Sequence, residues 1–225
     1  MPGREPARPS DDPQRYPIGG RMSDVVLGLA RRFRFRALAD RYNSVFILGL
    51  FSFLNGLISI GLMSVVAFAT RQPFIFPSLG PTAFLLFYTP QAAAASPRNT
   101  LAGHLIGCVA GYVSLAIFGL LHAGPAIVVG VSGNRVGAAA LSLALTAGFM
   151  AWLRVPHPPA GATTLIVSLG LIATIPKLAV LMLGVLLLTI QGFAINRLAG
   201  VEYPVWAPKP PSRRTDVGGR PSSGA

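Results

Sequence analysis

Val155-Pro156-His157-Pro158-Pro159-Ala160-Gly161-Ala162-Thr163-Thr164-Leu165-Ile166-Val167-Ser168-Leu169-Gly170 opens on prolines and then turns apolar. Proline is at home in the first turn of a helix, so a helix is expected to start after the Pro158-Pro159 pair. About ten helical residues then remain, roughly 15 Å of rise against a hydrocarbon core of about 30 Å. That is too short to cross a bilayer as one rod. The stretch from Pro73 to Pro90 has the same character, broken by Pro77, Gly80 and Pro81. Each short piece lies between runs long enough to span: Ser44–Thr70 and Asn99–His122 around the first, Arg135–Leu153 and Lys177–Ala199 around the second. The expected fold is an all-α polytopic membrane protein of about six helices, four long and two short or broken, in two pseudo-repeated three-helix halves.

Composition agrees. The 225 residues are 52% hydrophobic and only 12% charged. Residues 1–43 hold five prolines and nine arginines and read as a basic, mostly disordered tail, with an interfacial amphipathic helix a reading for 23–41. Residues 44–198 form the expected transmembrane domain, and 199–225 a second disordered tail. The net charge of +12 sits in the tails and at the ends of apolar runs. It is not an interleaved basic and aromatic face, so anionic lipid rather than nucleic acid is the expected partner. Cys108, the single cysteine, cannot form an intrachain disulfide.

Laying Pro77-Ser78-Leu79-Gly80-Pro81-Thr82-Ala83 over Pro158-Pro159-Ala160-Gly161-Ala162-Thr163-Thr164 pairs Pro77 with Pro158, Gly80 with Gly161 and Thr82 with Thr163, at one offset of 81 residues. A Pro-basic pair opens the next long helix each time, Pro97-Arg98 and Pro176-Lys177. If both short pieces cross, the halves are inverted in the membrane; if both are re-entrant, the halves are parallel. Either count is even, so both termini share a side. The nine N-terminal arginines place them in the cytoplasm, with the chain in the cell membrane.

Between Tyr42 and Val201 there is no Asp or Glu, while Arg71, Arg98, Arg135, Arg154, Lys177 and Arg197 are present with His104, His122 and His157. Such a core has nothing to neutralise a cation. It does offer positive charge and helix ends to an anion. After Pro158-Pro159 the N–H groups of Ala160, Gly161 and Ala162 are expected to lack intrahelical partners and to project from a positive dipole end. Gly161 leaves room for close approach, and the hydroxyls of Thr163 and Thr164 add donors. Ser78, Gly80 and Thr82 offer a similar set. Two half-helix N-termini near the midplane make a small-anion site, against the plainer reading of tight turns between packed helices.

His157 is the foremost single candidate, to hold an anion or release a proton with it; a neutral structural histidine is the alternative. His104 lies one turn into its run and is read as facing the same cavity, with helix packing an equal alternative. Arg98, Arg154 and Lys177 are read as vestibule or helix-opening charge, Arg135 and Arg197 as snorkelling, and Asn55 and Asn99 as cavity residues. With no carboxylate for acid–base work, no nucleophile motif and no metal-ligand spacing, an enzyme is not expected, nor any cofactor or metal.

His157-Pro158-Pro159-Ala160-Gly161-Ala162-Thr163 resembles the signature of the HPP family of integral membrane proteins. Ser78 to Phe87 and Ser96 to His104 resemble its two earlier blocks, and the resemblance covers about residues 44–198. It implies the transmembrane region of a transporter, with relatives associated with nitrite transport. Some relatives carry C-terminal nucleotide-binding modules, a form of control not expected of this chain. The resulting expectation is a transporter of nitrite or a similar small monoanion, with a passive channel or a non-transporting membrane scaffold as rivals. Small-residue helices in a chain of this length are also compatible with a homodimer.

Overall fold

The computed structural model describes residues 35–208, with side chains from Leu38 onward. Most of the 23–41 helix reading and of both tails therefore lies outside the described residues; its last part is helix α1 (Phe35–Arg41). Then follow α2 (Ser44–Thr70), α3 (Leu79–Tyr88), a 3-10 turn at Ala93–Ala95, α4 (Pro97–Ile117), α5 (Ala126–Val129), α6 (Gly133–Trp152), α7 (Ala160–Ser168) and α8 (Ile175–Leu198). The described residues are all-helical. Four of these helices, α2, α4, α6 and α8, are long and apolar enough to cross a membrane. The expectation of about six helices counts only the transmembrane domain, so α1 falls under the separate reading for 23–41, and the single turn α5 is too short to register as a run.

Local chemistry sets the boundaries. The Asn43 side chain accepts from the N–H groups of Val45 and Phe46 at 3.0 and 3.2 Å, starting α2. Prolines in the first turn open α4 and α8. These two helices also end alike. Past α4, Gly119 (φ 68°) gives its N–H to Ala116 while Leu120 gives its N–H to Leu115; past α8, Gly200 (φ 76°) bonds Arg197 while Val201 bonds Asn196. Glycine serves there because the left-handed backbone clashes with a side chain. The expected run to His122 was therefore five residues too long.

The short helices are held by glycine faces. On α4, Gly103, Gly107 and Gly111 recur every fourth residue against α7. A Cβ at Gly103 would stand 2.6 Å from His157 Cβ, one at Gly107 2.8 Å from the Ala160 carbonyl, and one at Gly111 2.6 Å from Val167 Cβ. On α8, Gly184 and Gly192 face α3: added Cβ atoms would meet Leu79 at 3.5 Å and Leu86 at 2.9 Å. Lipid supplies no hydrophobic drive between helices, so close backbone approach through small residues is what attaches them.

These contacts fix direction. Gly103 meets the start of α7 and Gly111 its later part, so α7 runs with α4. By the same test α3 runs with α8. The start of α4 touches the chain after α8, through Arg98 N–H to the Trp206 carbonyl at 3.1 Å and the Tyr203 hydroxyl to the Ala95 carbonyl, so α4 opposes α8. The Tyr203 phenol is held protonated, its pKa raised by burial. Two packing units result, α4 with α6 and α7, and α3 with α2 and α8, meeting mainly along α4 and α8.

The far ends of both short helices are tied by side chains from long ones. Arg135, expected to snorkel, is instead buried and donates to the carbonyls of Ser168 at 3.1 Å and Gly124 at 2.8 Å. It is drawn in because the last carbonyls of α7 carry the negative end of a helix dipole. Asn196 donates to the Leu86 carbonyl at 3.0 Å at the end of α3.

Gly111→Leu is expected to lower the melting temperature in detergent clearly, since overpacking costs about 1–3 kcal/mol. Gly56→Ala, whose Cβ meets nothing within 4 Å, serves as the control. Equal melting of the two variants would remove the glycine face as the attachment of α7.

Candidate functional site

α3 and α7 are 10 and 9 residues long, and each is preceded by irregular backbone, residues 71–78 and 153–159. In a membrane such backbone must be buried in protein or line a polar space. Both segments leave a long helix through an arginine of positive φ, Arg71 at 55° and Arg154 at 54°. They then bring the starts of α3 and α7 to a common place, marked by His104 on α4.

His104 bridges the two starts. Its Nδ1 lies 2.7 Å from Thr163 Oγ1 and its Nε2 2.9 Å from Thr82 Oγ1. His157, immediately before Pro158, sets its Nε2 3.2 Å from His104 Nε2 and 3.3 Å from Thr82 Oγ1. The ring centroids are 4.8 Å apart. His157 Nδ1 lies 2.7 Å from the Ala94 carbonyl. All four side chains are fully buried.

One arrangement of hydrogens satisfies this geometry. A carbonyl only accepts, so His157 Nδ1 carries a hydrogen and its Nε2 presents a lone pair. The Thr82 hydroxyl donates to the Ser78 carbonyl at 2.9 Å, leaving its oxygen to accept from His104 Nε2–H. That same hydrogen points between Thr82 and His157 Nε2. His104 Nδ1 then accepts from the Thr163 hydroxyl. Both rings are neutral, and every ring nitrogen is paired.

Two further hydroxyls sit one turn before the cluster on its own elements, Ser78 ahead of Thr82 and Thr100 ahead of His104. Both are fully buried, and their side-chain oxygens have no partner among the described residues. Unpaired polar groups of this kind are costly and call for a reason.

Several expectations need correction. The N–H groups of Ala160, Gly161 and Ala162 are not free: they bond the carbonyls of His157, Pro158 and Pro159 at 3.0, 2.9 and 3.1 Å, because the entry to α7 is wound as a tight three-residue turn. The space between the tips is filled by imidazole rather than open as a cavity. Gly80 and Pro158 are exposed on the outer face. Gly161 looks toward Leu143, with Ala162 beside it half-buried, so both serve packing against α6. Thr164 donates to the Ser142 carbonyl of α6 at 3.3 Å, and Ala160 is buried against Gly107.

Arg98 is half-buried, donating to the Arg154 carbonyl at 3.1 Å and to Asn99 Oδ1 at 3.1 Å. Asn99 in turn donates to the Ala93 carbonyl at 2.9 Å, tying down the loop that carries Ala94. Asn55 bonds its own helix, giving a hydrogen to the Phe51 carbonyl at 2.7 Å, and borders an outer groove between α2 and α8 rather than the cluster. The Arg154 side chain is exposed and lines an outer groove together with His157 and Pro158, while Lys177 is exposed at the start of α8. The contributions of Gly103, Gly107 and Ala94 were missed. Glycine spacing of four along α4 was available as a signal; no sequence feature announces a carbonyl.

Among the described residues, helices alone, four of them long and apolar enough to span, and a polar cluster sealed between two short ones make this a multi-pass membrane protein. The chain belongs to the family described as HPP, transmembrane region, whose model matches residues 43–204. A transmembrane protein of Dictyostelium discoideum is 29% identical over 104 residues, 46% of this chain and 33% of that protein. The chain thus spans about a third of that relative's length. No solved structure matches.

Backbone amides of Ala160, Gly161 and Ala162 are expected to exchange with deuterium slowly, together with the interior of α7. Exchange at the rate of an exposed loop would contradict the sealed tip.

Proposed function

We propose that the chain is a transporter of small monoanions, with nitrite the first candidate. The observation that carries the reading is the Thr82–His104–His157–Thr163 cluster: four polar side chains, buried and bonded to one another where two half-helix starts meet, in a span without a carboxylate. Polar groups placed inside a membrane at such cost mark a path for a substrate. An anion of nitrite's size would take its hydrogens from the threonine hydroxyls and from an imidazole N–H. The spare hydroxyls of Ser78 and Thr100 would complete its shell.

The repeat fits this reading. Gly103, Gly111 and Gly119 correspond to Gly184, Gly192 and Gly200 at the offset that pairs Thr82 with Thr163. Val167, against Gly111, corresponds to Leu86, against Gly192. With α4 opposed to α8, the halves are read as inverted repeats whose broken helices complete their crossings through irregular backbone, so the chain crosses six times. The moving bodies are then not the sequence halves. They are the two packing units, because each half lends its last helix to the other's short one. Rocking α4, α6 and α7 against α2, α3 and α8 would break the bonds from Thr82 to both histidines and open the site to one side at a time.

The start of α2 and the end of α8 lie at one end, where Ser44 and Val201 line one groove. The arginine-rich segment before α2 assigns that end to the cytoplasmic face of the cell membrane, against anionic lipid. No enzymatic activity is proposed. A sealed cluster weighs against an open pore. The second reading, a scaffold in which the cluster is only a structural lock, is favoured by the full pairing of both imidazoles.

Purified protein in liposomes should take up nitrite saturably, with competition strongest among formate, nitrate, chloride and bicarbonate for the ion nearest nitrite in size and shape. Thr82→Val should cut uptake about tenfold or more while the protein still purifies folded. Undiminished uptake by that variant would support the lock, and no uptake of any of the five anions would end the transport reading.

A further inference from the structure

We propose that the facing rings of His104 and His157 form a proton-binding site, so that one proton crosses with each anion. The inference rests on the transport reading above and names its coupling ion. Two imidazole Nε2 atoms 3.2 Å apart cannot both present lone pairs to each other, and the neutral pair places a single hydrogen between them. The neutral pair holds two ring hydrogens, one on His157 Nδ1 and one on His104 Nε2. A third has a defined place. It goes to His104 Nδ1, which then donates to Thr163 Oγ1 2.7 Å away, while the Thr163 hydroxyl turns from donor to acceptor.

In that form His157 Nδ1–H still bonds Ala94, and the Nε2–H of His104 still bridges to His157. The added proton costs no existing ring contact. It comes from water on the open side and returns to water on the other.

Charge decides when it is held. The titratable or charged residues on the elements packed about the pair are Tyr88 on α3, Arg98, Cys108 and Tyr112 on α4, Arg135 on α6 with Arg154 after it, and Glu202 and Tyr203 in the segment that reaches Ala95. α7 contributes none. None of these bonds either ring, and no carboxylate lies on the helices among them; Glu202 is exposed, beyond the end of α8. A lone positive charge buried there would be uncompensated. An anion beside the rings supplies the missing counter-charge, so proton and anion stabilise each other and the loaded site is neutral. Neither alone is held well.

The test uses full-length protein in liposomes containing a trapped pH indicator, with nitrite as probe and protein-free vesicles as background. An inward gradient of about one pH unit should raise protein-dependent nitrite uptake several-fold, acidify the lumen with it, and leave it indifferent to a potassium–valinomycin potential. Thr163→Val, close to threonine in shape but unable to change from donor to acceptor, should lose most of the stimulation by the gradient. Uptake that follows the potential and ignores the gradient would overturn the proton site while leaving transport intact. Should no nitrite move, the transport reading fails, and imidazole nitrogen NMR in nanodiscs decides the proton site separately. One proton taken up by the pair when nitrite is added supports it; rings neutral with and without nitrite overturn it.

Discussion

The fold depends on backbone-to-backbone approach along two glycine faces. Neither α3 nor α7 is long enough to hold itself in a bilayer, and lipid tails give no hydrophobic reason for either to leave its surroundings and dock. What fastens them is the absence of side chains at Gly103, Gly107 and Gly111 on α4, and at Gly184 and Gly192 on α8. Each short helix lies on the last helix of the other half. The halves are therefore interlocked, and the starts of the two short helices can meet only because both docks are in place. Gly103 touches His157 itself, so the packing face and the polar cluster are one construction.

Within that frame, the physics of the cluster is the physics of buried polar groups. A hydroxyl or imidazole in a low-dielectric interior is costly unless paired. Here the four side chains pair with each other and with the carbonyls of Ser78 and Ala94. Three of the four belong to the unit built on α4, and Thr82 belongs to the unit built on α8. The bonds of Thr82 to the two histidines thus join the units at the cluster, as those of Arg98 to Trp206 and Tyr203 to Ala95 join them at one end. The two hydrogen bonds of Thr82 across the cluster, each worth about 1 kcal/mol net, can be replaced by a ligand that offers comparable bonds. The glycine interfaces cannot be opened so cheaply.

Much of this was legible in residue patterns, and the misses have physical causes. The bounds of α2 follow from an uninterrupted apolar run between Asn43 and Arg71. The two short helices follow from proline placement and the paired Thr82 and Thr163. That His104 and His157 share a site was inferred from their nearness to the broken segments. The expectation of free N–H groups holds for an ideal α-helix start, whereas Ala160 to Ala162 wind tightly enough to bond carbonyls three residues back. Arg135 was misjudged because its partners are carbonyls of Ser168 and Gly124, which every sequence has and none advertises. The packing units were hidden for the same reason: the exchange of α4 and α8 is a matter of which glycine face meets which stub.

The most direct measurement is of distance between the two units at both ends, by pulsed electron spin resonance on exposed positions in a Cys108→Ser background. Leu153 with Leu198 reports one end, and Val136 with Phe68 the other; all four are more than half exposed. If the units rock about the histidine–threonine joint, adding nitrite at mildly acidic pH should change the two distances in opposite senses. Distances that stay the same at both ends under every condition would contradict a moving joint and leave the cluster as a lock.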